Sequence, residues 1–438
     1  MAVALTFLVG CTTAFQPSML QTNRSNRLCK MKLRSSSTTS PPSSPLNDLV
    51  NGQIGWNTVV GEADRAFRLG LQLEKSGQPR PASSAFSEAA TLYQCFLELP
   101  KNFEHVTNLS QEDCPPLLSY SLVRLGHLNM NALGDPRAAV RLYTMAAEID
   151  PQPSSVAFRG IATSLEASGG NGDDMTHLQD AVVAYRKALE IANTPGVAFD
   201  MAVALERLGE IEEADKILEQ LNRCEAPISC LVDSWGYVRW HTRKVPSNLL
   251  NLQRGTWDML KLALDAATPL INQGGLVCEF GVGSGRSLRM TQEILPLGVP
   301  IHGFDTFTGL PVAWGDEPAG AYSTGGVVPN MEGDVYFHKG LFKDTISPFL
   351  AESGNDACLA YANIDCDLYT STLDILEAMH GRIIAGTVLI FDEYICHPSW
   401  RQDEFRAWRE CCKRFGWKYE YLGFSLSTKQ VVVQVTET

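Results

Sequence analysis

The sequence predicts an open, mostly parallel α/β sheet domain preceded by an all-α helical-repeat domain. Three observations predict it. Short apolar runs alternate with helical spacing over residues 231–438. A self-match with a period near ~34 residues runs over 60–225. An alternating-glycine loop, Gly281-Val282-Gly283-Ser284-Gly285, follows the first apolar run. The 438 residues suffice for two or three domains. The 12 cysteines are scattered without a C-x-x-C pair, which argues against zinc ribbons and thioredoxin-type redox pairs. A net charge of −13 argues against a general nucleic-acid binder, which needs a concentrated basic face. No apolar run approaches the ~20 residues of a membrane span.

Residues 1–45 read as a presequence. Ala2 to Ala14 form a short apolar stretch, suited to a signal-peptide core. Gln16 to Pro45 contain no Asp or Glu, but carry Arg24, Arg27, Lys30, Lys32, Arg34 and many serines. The order, with an Ala14-Phe15 step between the two parts, resembles the bipartite plastid presequence of algae with secondary plastids. The resemblance implies a plastid address; a mitochondrial leader is the second choice.

Residues 60–225 are rich in Ala, Leu, Glu and Arg with helical apolar spacing. Leu125-Gly126 recurs as Arg159-Gly160, and the run from Ala146 to Asp150 recurs as Ala188 to Ile191 behind an insertion at Gly169–Thr176. Small residues such as Gly126 and Ala146 let paired helices approach, and Tyr143 and Leu142 fill the gap between neighbours. The period and residue types resemble the tetratricopeptide repeat. That implies either a groove for a protein partner or self-association, or a helical stack that only packs on the next domain.

Residues 231–438 carry the chemistry. A helix from Thr256 to Ala267 precedes a first strand, Gly275 to Phe280, which enters the glycine loop and a helix from Leu288. A dinucleotide fingerprint needs Gly where Arg286 stands. The spacing Glu279-x-Gly281-x-Gly283-x-Gly285 suits S-adenosylmethionine better, because that cofactor is cationic and has no pyrophosphate. The second strand, Val299 to Phe304, ends in Asp305, a candidate acceptor for ribose hydroxyls or else a helix cap. The third, Asp334 to His338, leads to Gly340 and Phe342, where Phe342 either stacks on adenine or joins the core.

Three phrases carry a specific likeness: Cys278 to Gly285, Gly303-Phe304-Asp305-Thr306-Phe307-Thr308-Gly309-Leu310-Pro311, and Ala362-Asn363-Ile364-Asp365-Cys366-Asp367-Leu368-Tyr369. Together they resemble the class I methyltransferases of the macrocin O-methyltransferase group. The resemblance implies a Rossmann-like, seven-stranded, mostly parallel sheet with an antiparallel last strand. It implies S-adenosylmethionine and Mg²⁺ as cofactors and a sugar hydroxyl as acceptor.

The metal is also argued from the residues. Asp365 ends the fourth strand, and the fifth, Thr387 to Phe391, ends in Asp392-Glu393. Parallel neighbours bring these ends together at the rim where open α/β sheets bind ligands. Three carboxylates there would repel, and a hard divalent cation such as Mg²⁺ relieves that. The alternative is that Asp392 and Glu393 cap helices or pair with surface cations. Leu368 stands where related catechol O-methyltransferases carry a lysine base, so a catechol acceptor loses support. Asp365, Asp367 or His397 remain as bases, His397 because it titrates near neutrality.

Trp314 to Glu332 is a Gly- and Pro-rich loop, expected as a lid over the acceptor. The aromatic segment Ser234–His241 either walls the acceptor pocket or seams the two domains. Trp417–Gly423 and Gln430–Val435 close the sheet as a strand pair. The leading reading is therefore Mg²⁺-assisted O-methyl transfer to a small hydroxylated acceptor. A repeat-based adaptor with a degenerate methyltransferase domain is the runner-up, and an NAD(P)-dependent oxidoreductase comes third.

Overall fold

The structure is a computed structural model that describes residues 56–97, 114–150, 152–169, 175–242, 255–354 and 357–438. The presequence lies outside the described residues.

The helical region pairs α1 (Trp56–Lys75) with α2 (Pro79–Leu97) and α3 (Cys114–Asn131) with α4 (Pro136–Ile149). It continues with α5 (Ser155–Ser168) and α6 (Thr176–Ile191), then α7 (Pro195–Leu208) and α8 (Ile211–Leu221). Helix starts follow local chemistry. Asp135 accepts from the Ala138 amide at 2.8 Å with Pro136 next in line, and Ser154 accepts from the Ala157 amide at 3.3 Å. Gly209 ends α7 in the left-handed conformation. Fully buried Ala82, Ala89, Ala146, Ala157, Ala181 and Ala188 let the helices approach closely. A buried Glu166 on α5 ties three helices, accepting from the Tyr185 hydroxyl and from Arg207, each at 2.6 Å.

After α9 (Ile228–Thr242) and α10 (Thr256–Ile271) comes the sheet. Its strands are β1 (Leu276–Phe280), β2 (Ile301–Asp305), β3 (Val335–Lys339), β4 (Leu359–Ile364), β5 (Val388–Phe391), β6 (Lys418–Phe424) and β7 (Val431–Glu437). Their order is β3-β2-β1-β4-β5-β7-β6. Only β7 runs against its neighbours, as the resemblance implied. The crossovers are α11 (Arg286–Ile294), α12 (Phe342–Glu352), α13 (Tyr369–Met379) and α14 (Glu404–Phe415). This is the class I methyltransferase fold. The helix expected over Thr256–Ala267 continues to Ile271 through Pro269. Packing of Ile271 and Leu270 into the core outweighs the amide that proline lacks.

Side chains alternate between the two faces of the sheet. Val277, Tyr361, Val388 and Ile390 join one core, built with α10, α11 and the first helix pairs. Cys278, Phe280, Ala362, Ile364, Leu389 and Phe391 join the other, where Phe199, Val203, Leu218 and Trp235 of α7 to α9 also pack. The helical array thus packs into both faces of the sheet domain. Polar contacts lock it there. Arg80 grips Glu293 of α11 through Nε and Nη2, and Arg289 donates to the backbone oxygens of both Gly77 and Ser284.

The Ser234–His241 segment is this seam. The Cys396 amide donates to Ser234 Oγ at 2.8 Å, and the Tyr237 and Tyr421 hydroxyls meet at 2.5 Å. At the other end of the interface, Gly255 lies against the end of α3. A Cβ there would sit 2.1 Å from the Met130 carbonyl oxygen. Gly255→Ala is therefore expected to cost ~1–3 kcal/mol of stability by forcing the two layers apart. Denaturant unfolding checks this, and an unchanged midpoint would count against a rigid dock.

Candidate active site

The C-terminal ends of β1, β2, β4 and β5 meet at one mouth. The Gly281 amide donates to the Phe304 carbonyl at 2.9 Å, the Asp365 amide to Phe280 at 2.8 Å, and the Asp392 amide to Ile364 at 2.9 Å. Backbone bonding therefore runs past the strand ends and sets Asp365 and Asp392 side by side. Gly281 has a φ of +94°, and a Cβ there would lie 1.7 Å from the Asp365 carbonyl oxygen. Only glycine allows this crossing.

One cavity of about 1070 Å³ opens at this mouth, lined by Gly281, Gly283, Asp305, Gly340 and Phe342 among others. Asp365, Asp367, Asp392 and Glu393 line it as well. Asp305 takes the Gly283 amide on Oδ2 at 2.7 Å and the Phe307 amide on Oδ1 at 2.6 Å. Its carboxylate is thus aimed, and each oxygen retains a lone pair. Phe342 is half-buried, with Phe280 edge-on at 5.7 Å.

Three of the residues singled out in the sequence are not among those lining the cavity. Glu279 is buried behind the glycine loop and accepts from Ser287 Oγ at 2.8 Å. Burial raises its carboxyl to about 8. Gly285 supplies the left-handed residue that opens α11. His397 is buried, with Nε2 2.8 Å from the Glu393 carbonyl and its ring beside Trp314. Burial lowers its pKa, so it is held neutral.

The acid groups divide. No described residue donates a hydrogen bond to the Asp365 carboxylate. Burial, then repulsion from Asp392 and Asp367, holds its pKa well above the usual range. Asp392, also raised by burial, accepts from Gln430 Nε2 at 2.5 Å and is partly offset by Arg286 and Lys429. Glu393, pushed up to about 7 by burial, turns to the Lys429 ammonium at 3.0 Å. Asp367 is raised to about 6 by burial and Asp392. Among the described residues, no three carboxylate, imidazole or thiol groups stand in an arrangement that would hold a metal ion. The expected triad thus loses Glu393 to Lys429, while Asp365 and Asp392 keep the all-oxygen chemistry that suits a hard divalent cation.

Sequence reasoning missed Glu404, Lys429 and Gln430. Glu404 lies fully buried below the mouth and takes the amides of Cys366, at 3.5 Å, and of Glu393, at 3.1 Å. It belongs to an otherwise ordinary amphipathic helix, and Lys429-Gln430 read as a plain turn. Five non-glycine residues adopt positive φ: Phe307, Tyr322, Asp367, Cys396 and Lys429. Phe307 gives its amide to Asp305, Lys429 pairs with Glu393, and Asp367 and Tyr322 line the cavity. Such strain concentrates where a site needs fixed loops.

A macrocin-O-methyltransferase (TylF) family model matches residues 330–414, from β3 into α14. This segment contains Gly340, Phe342, Asp365, Asp392 and Glu393. Over this segment the chain is similar to the macrocin-O-methyltransferase family. No curated protein sequence matches the chain. Among solved structures, the calicheamicin methyltransferase CalS11 is 22% identical, with 51% of this chain and 93% of that chain covered and a TM-score of 0.34. The O-methyltransferase NovP is 23% identical over 46% of this chain and 88% of that chain, with a TM-score of 0.32. Apo CalS11, described as a TDP-rhamnose 3'-O-methyltransferase, is 22% identical over 51% and 94%, with a TM-score of 0.31.

The raised carboxyls fix a pH dependence. Folded values of about 8 for Glu279 and about 7 for Glu393 exceed the ordinary 4.5. Between about pH 4.5 and 8 the folded chain keeps protons that the unfolded chain releases. Stability therefore falls as pH rises through that window. Melting temperature is expected to be lower at pH 8.5 than at pH 5.5, and Asp365→Asn to narrow the difference. An equal drop in wild type and variant would show that Asp365 is not held protonated.

Proposed function

We propose that the chain transfers a methyl group from S-adenosylmethionine to a hydroxyl of a small, sugar-like acceptor, with a divalent cation at Asp365 and Asp392. The carrying observation is the half-buried Asp365 carboxyl, with no hydrogen-bond donor among the described residues, beside Asp392 in the cavity that also holds the glycine loop and Asp305. The match to the macrocin-O-methyltransferase family supports the acceptor class.

Gly281 and Gly283 leave backbone open to the donor, Asp305 offers its remaining lone pairs to the ribose hydroxyls, and Phe342 offers a face to the adenine. Asp392, oriented by Gln430, holds the acceptor side of the site. A divalent ion bound there supplies Lewis acidity that lowers the acceptor hydroxyl's pKa. Asp365 gives up its own proton when the cation is held, and its free oxygen is then placed to take the hydroxyl proton. The loop of residues 306–333 limits water through Leu310, Pro311 and Tyr322. Orientation of the oxygen opposite the departing sulfur accounts for the remaining acceleration.

The test uses labelled S-adenosylmethionine with a metabolite extract, with and without EDTA. Transfer is expected to stop with EDTA and return with Mg²⁺. Asp365→Asn is expected to lose ~10²-fold or more in turnover, while binding of S-adenosylhomocysteine is kept. Transfer unaffected by EDTA would refute the cation, and failure to bind S-adenosylhomocysteine would refute the donor.

We read the helix pairs as tetratricopeptide-like repeats, on the ~34-residue period and the small-residue seams. We also infer plastid delivery from residues 1–45. A fluorescent fusion of residues 1–60 is expected to enter plastids, and a diffuse cytosolic signal would end that reading.

A further inference from the structure

We propose that the repeat array is one wall of the acceptor site and carries there an oxyanion-binding subsite built from Tyr143 and Arg159. The inference rests on the methyl-transfer reading and names the acceptor's second recognition point. The cavity that opens at Asp365 and Asp305 is also lined by helical-array residues, among them Tyr143, Arg159, Thr163 and Phe199. At about 1070 Å³ it exceeds what one small ligand requires, so donor and acceptor fit together.

Tyr143 is 6% exposed. Its ring is wedged between α3 and α5. A Cβ at Gly126 would lie 2.9 Å from the ring and one at Gly160 2.5 Å. The ring is therefore fixed, yet no described residue bonds to its hydroxyl. The hydroxyl is open to the cavity and is a donor that an occupant can engage. Arg159 comes from the helix that supplies Gly160. Asp200 of α7, itself 5% exposed, receives Nε and Nη2 of Arg159, each at 2.8 Å. That carboxylate orients the guanidinium, and Nη1 has no partner among the described residues. Tyr143 and Arg159 line the same cavity, and Gly160, next to Arg159 in the chain, packs against the Tyr143 ring.

A fixed O–H donor beside the free edge of a guanidinium binds an oxyanion, because the guanidinium can only donate and carries full charge. The acceptor would then bear a carboxylate or phosphate remote from the hydroxyl that is methylated. Its neutral end lies toward the acidic mouth and its anionic end toward the array. This arrangement would favour an anionic acceptor over a neutral sugar of the same ring structure, which gains no charge-assisted bond to Arg159.

The full chain, labelled methyl donor and a metabolite extract test the proposal. The labelled product is expected to be retained on an anion exchanger at neutral pH. Phosphatase treatment that releases it identifies a phosphate, and retention after treatment identifies a carboxylate. Tyr143→Phe preserves the wedged ring, and Arg159→Lys preserves a charge for Asp200. Each is expected to raise the extract concentration giving half-maximal transfer by ~tenfold. Calorimetry with S-adenosylhomocysteine should show donor-site affinity unchanged in both. A neutral labelled product, or wild-type half-saturation in both variants, overturns the subsite and leaves methyl transfer standing. No labelled product from a chain that binds S-adenosylhomocysteine overturns transfer and subsite together.

Discussion

Burial of like charges at the carboxyl rim of the sheet is the constraint from which the site is built. Asp365, Asp392, Asp367 and Glu404 are each raised by desolvation first and by one another second, Asp392 excepted, where neighbouring cations oppose burial. A folded chain tolerates this only if the groups hold protons, pair with cations or hydrogen-bond to backbone. All three solutions are present. Glu404 takes backbone amides, Glu393 takes Lys429, and Asp392 takes Gln430. Asp365 is left without a partner, which makes it the group with the most to gain from a proton or a bound cation.

The loops around that rim are held, not loose. Asp305 binds two amides, one from the glycine loop and one from Phe307 at positive φ. The strain at Asp367 and Lys429 lies next to the acid groups they serve. Trp314 Nε1 donates to Asp403 Oδ2 at 3.0 Å, which pins the long loop of residues 306–333 to the start of α14. These bonds fix the carboxylates before any ligand arrives, and pre-organisation of this kind is what a transfer step at a fixed oxygen requires.

The parallel strands, the glycine loop and the positions of Asp305 and Asp365 were legible in the sequence, because each follows from short-range pattern and from the parallel βα repeat. The fate of Glu393 was not. Its partner Lys429 lies 36 residues later in the turn before β7, and its orientation follows from strand pairing and not from local pattern. His397 has the residue type of a base, yet the Glu393 carbonyl and the Trp314 ring claim it. Glu279 sits at the right spacing, but the alternation of the pleat turns it inward onto Ser287. The Ser234–His241 segment allowed two readings. The Tyr237–Tyr421 contact decides for the seam.

The seam changes what the array is for. A repeat stack that merely recruited a partner would need its own core and a free surface. Here Phe199 and Val203 share a core with Phe280 and Phe391 of the sheet, while Ala63 and Phe86 share the opposite core with Val277 and Ile390. Arg289 bonds the α1–α2 turn and the glycine loop with one guanidinium. A displacement of the array would therefore break both cores and release the donor loop at once. Coupling this tight favours a fixed wall over a hinged module, and a fixed wall can select an acceptor by its shape and charge.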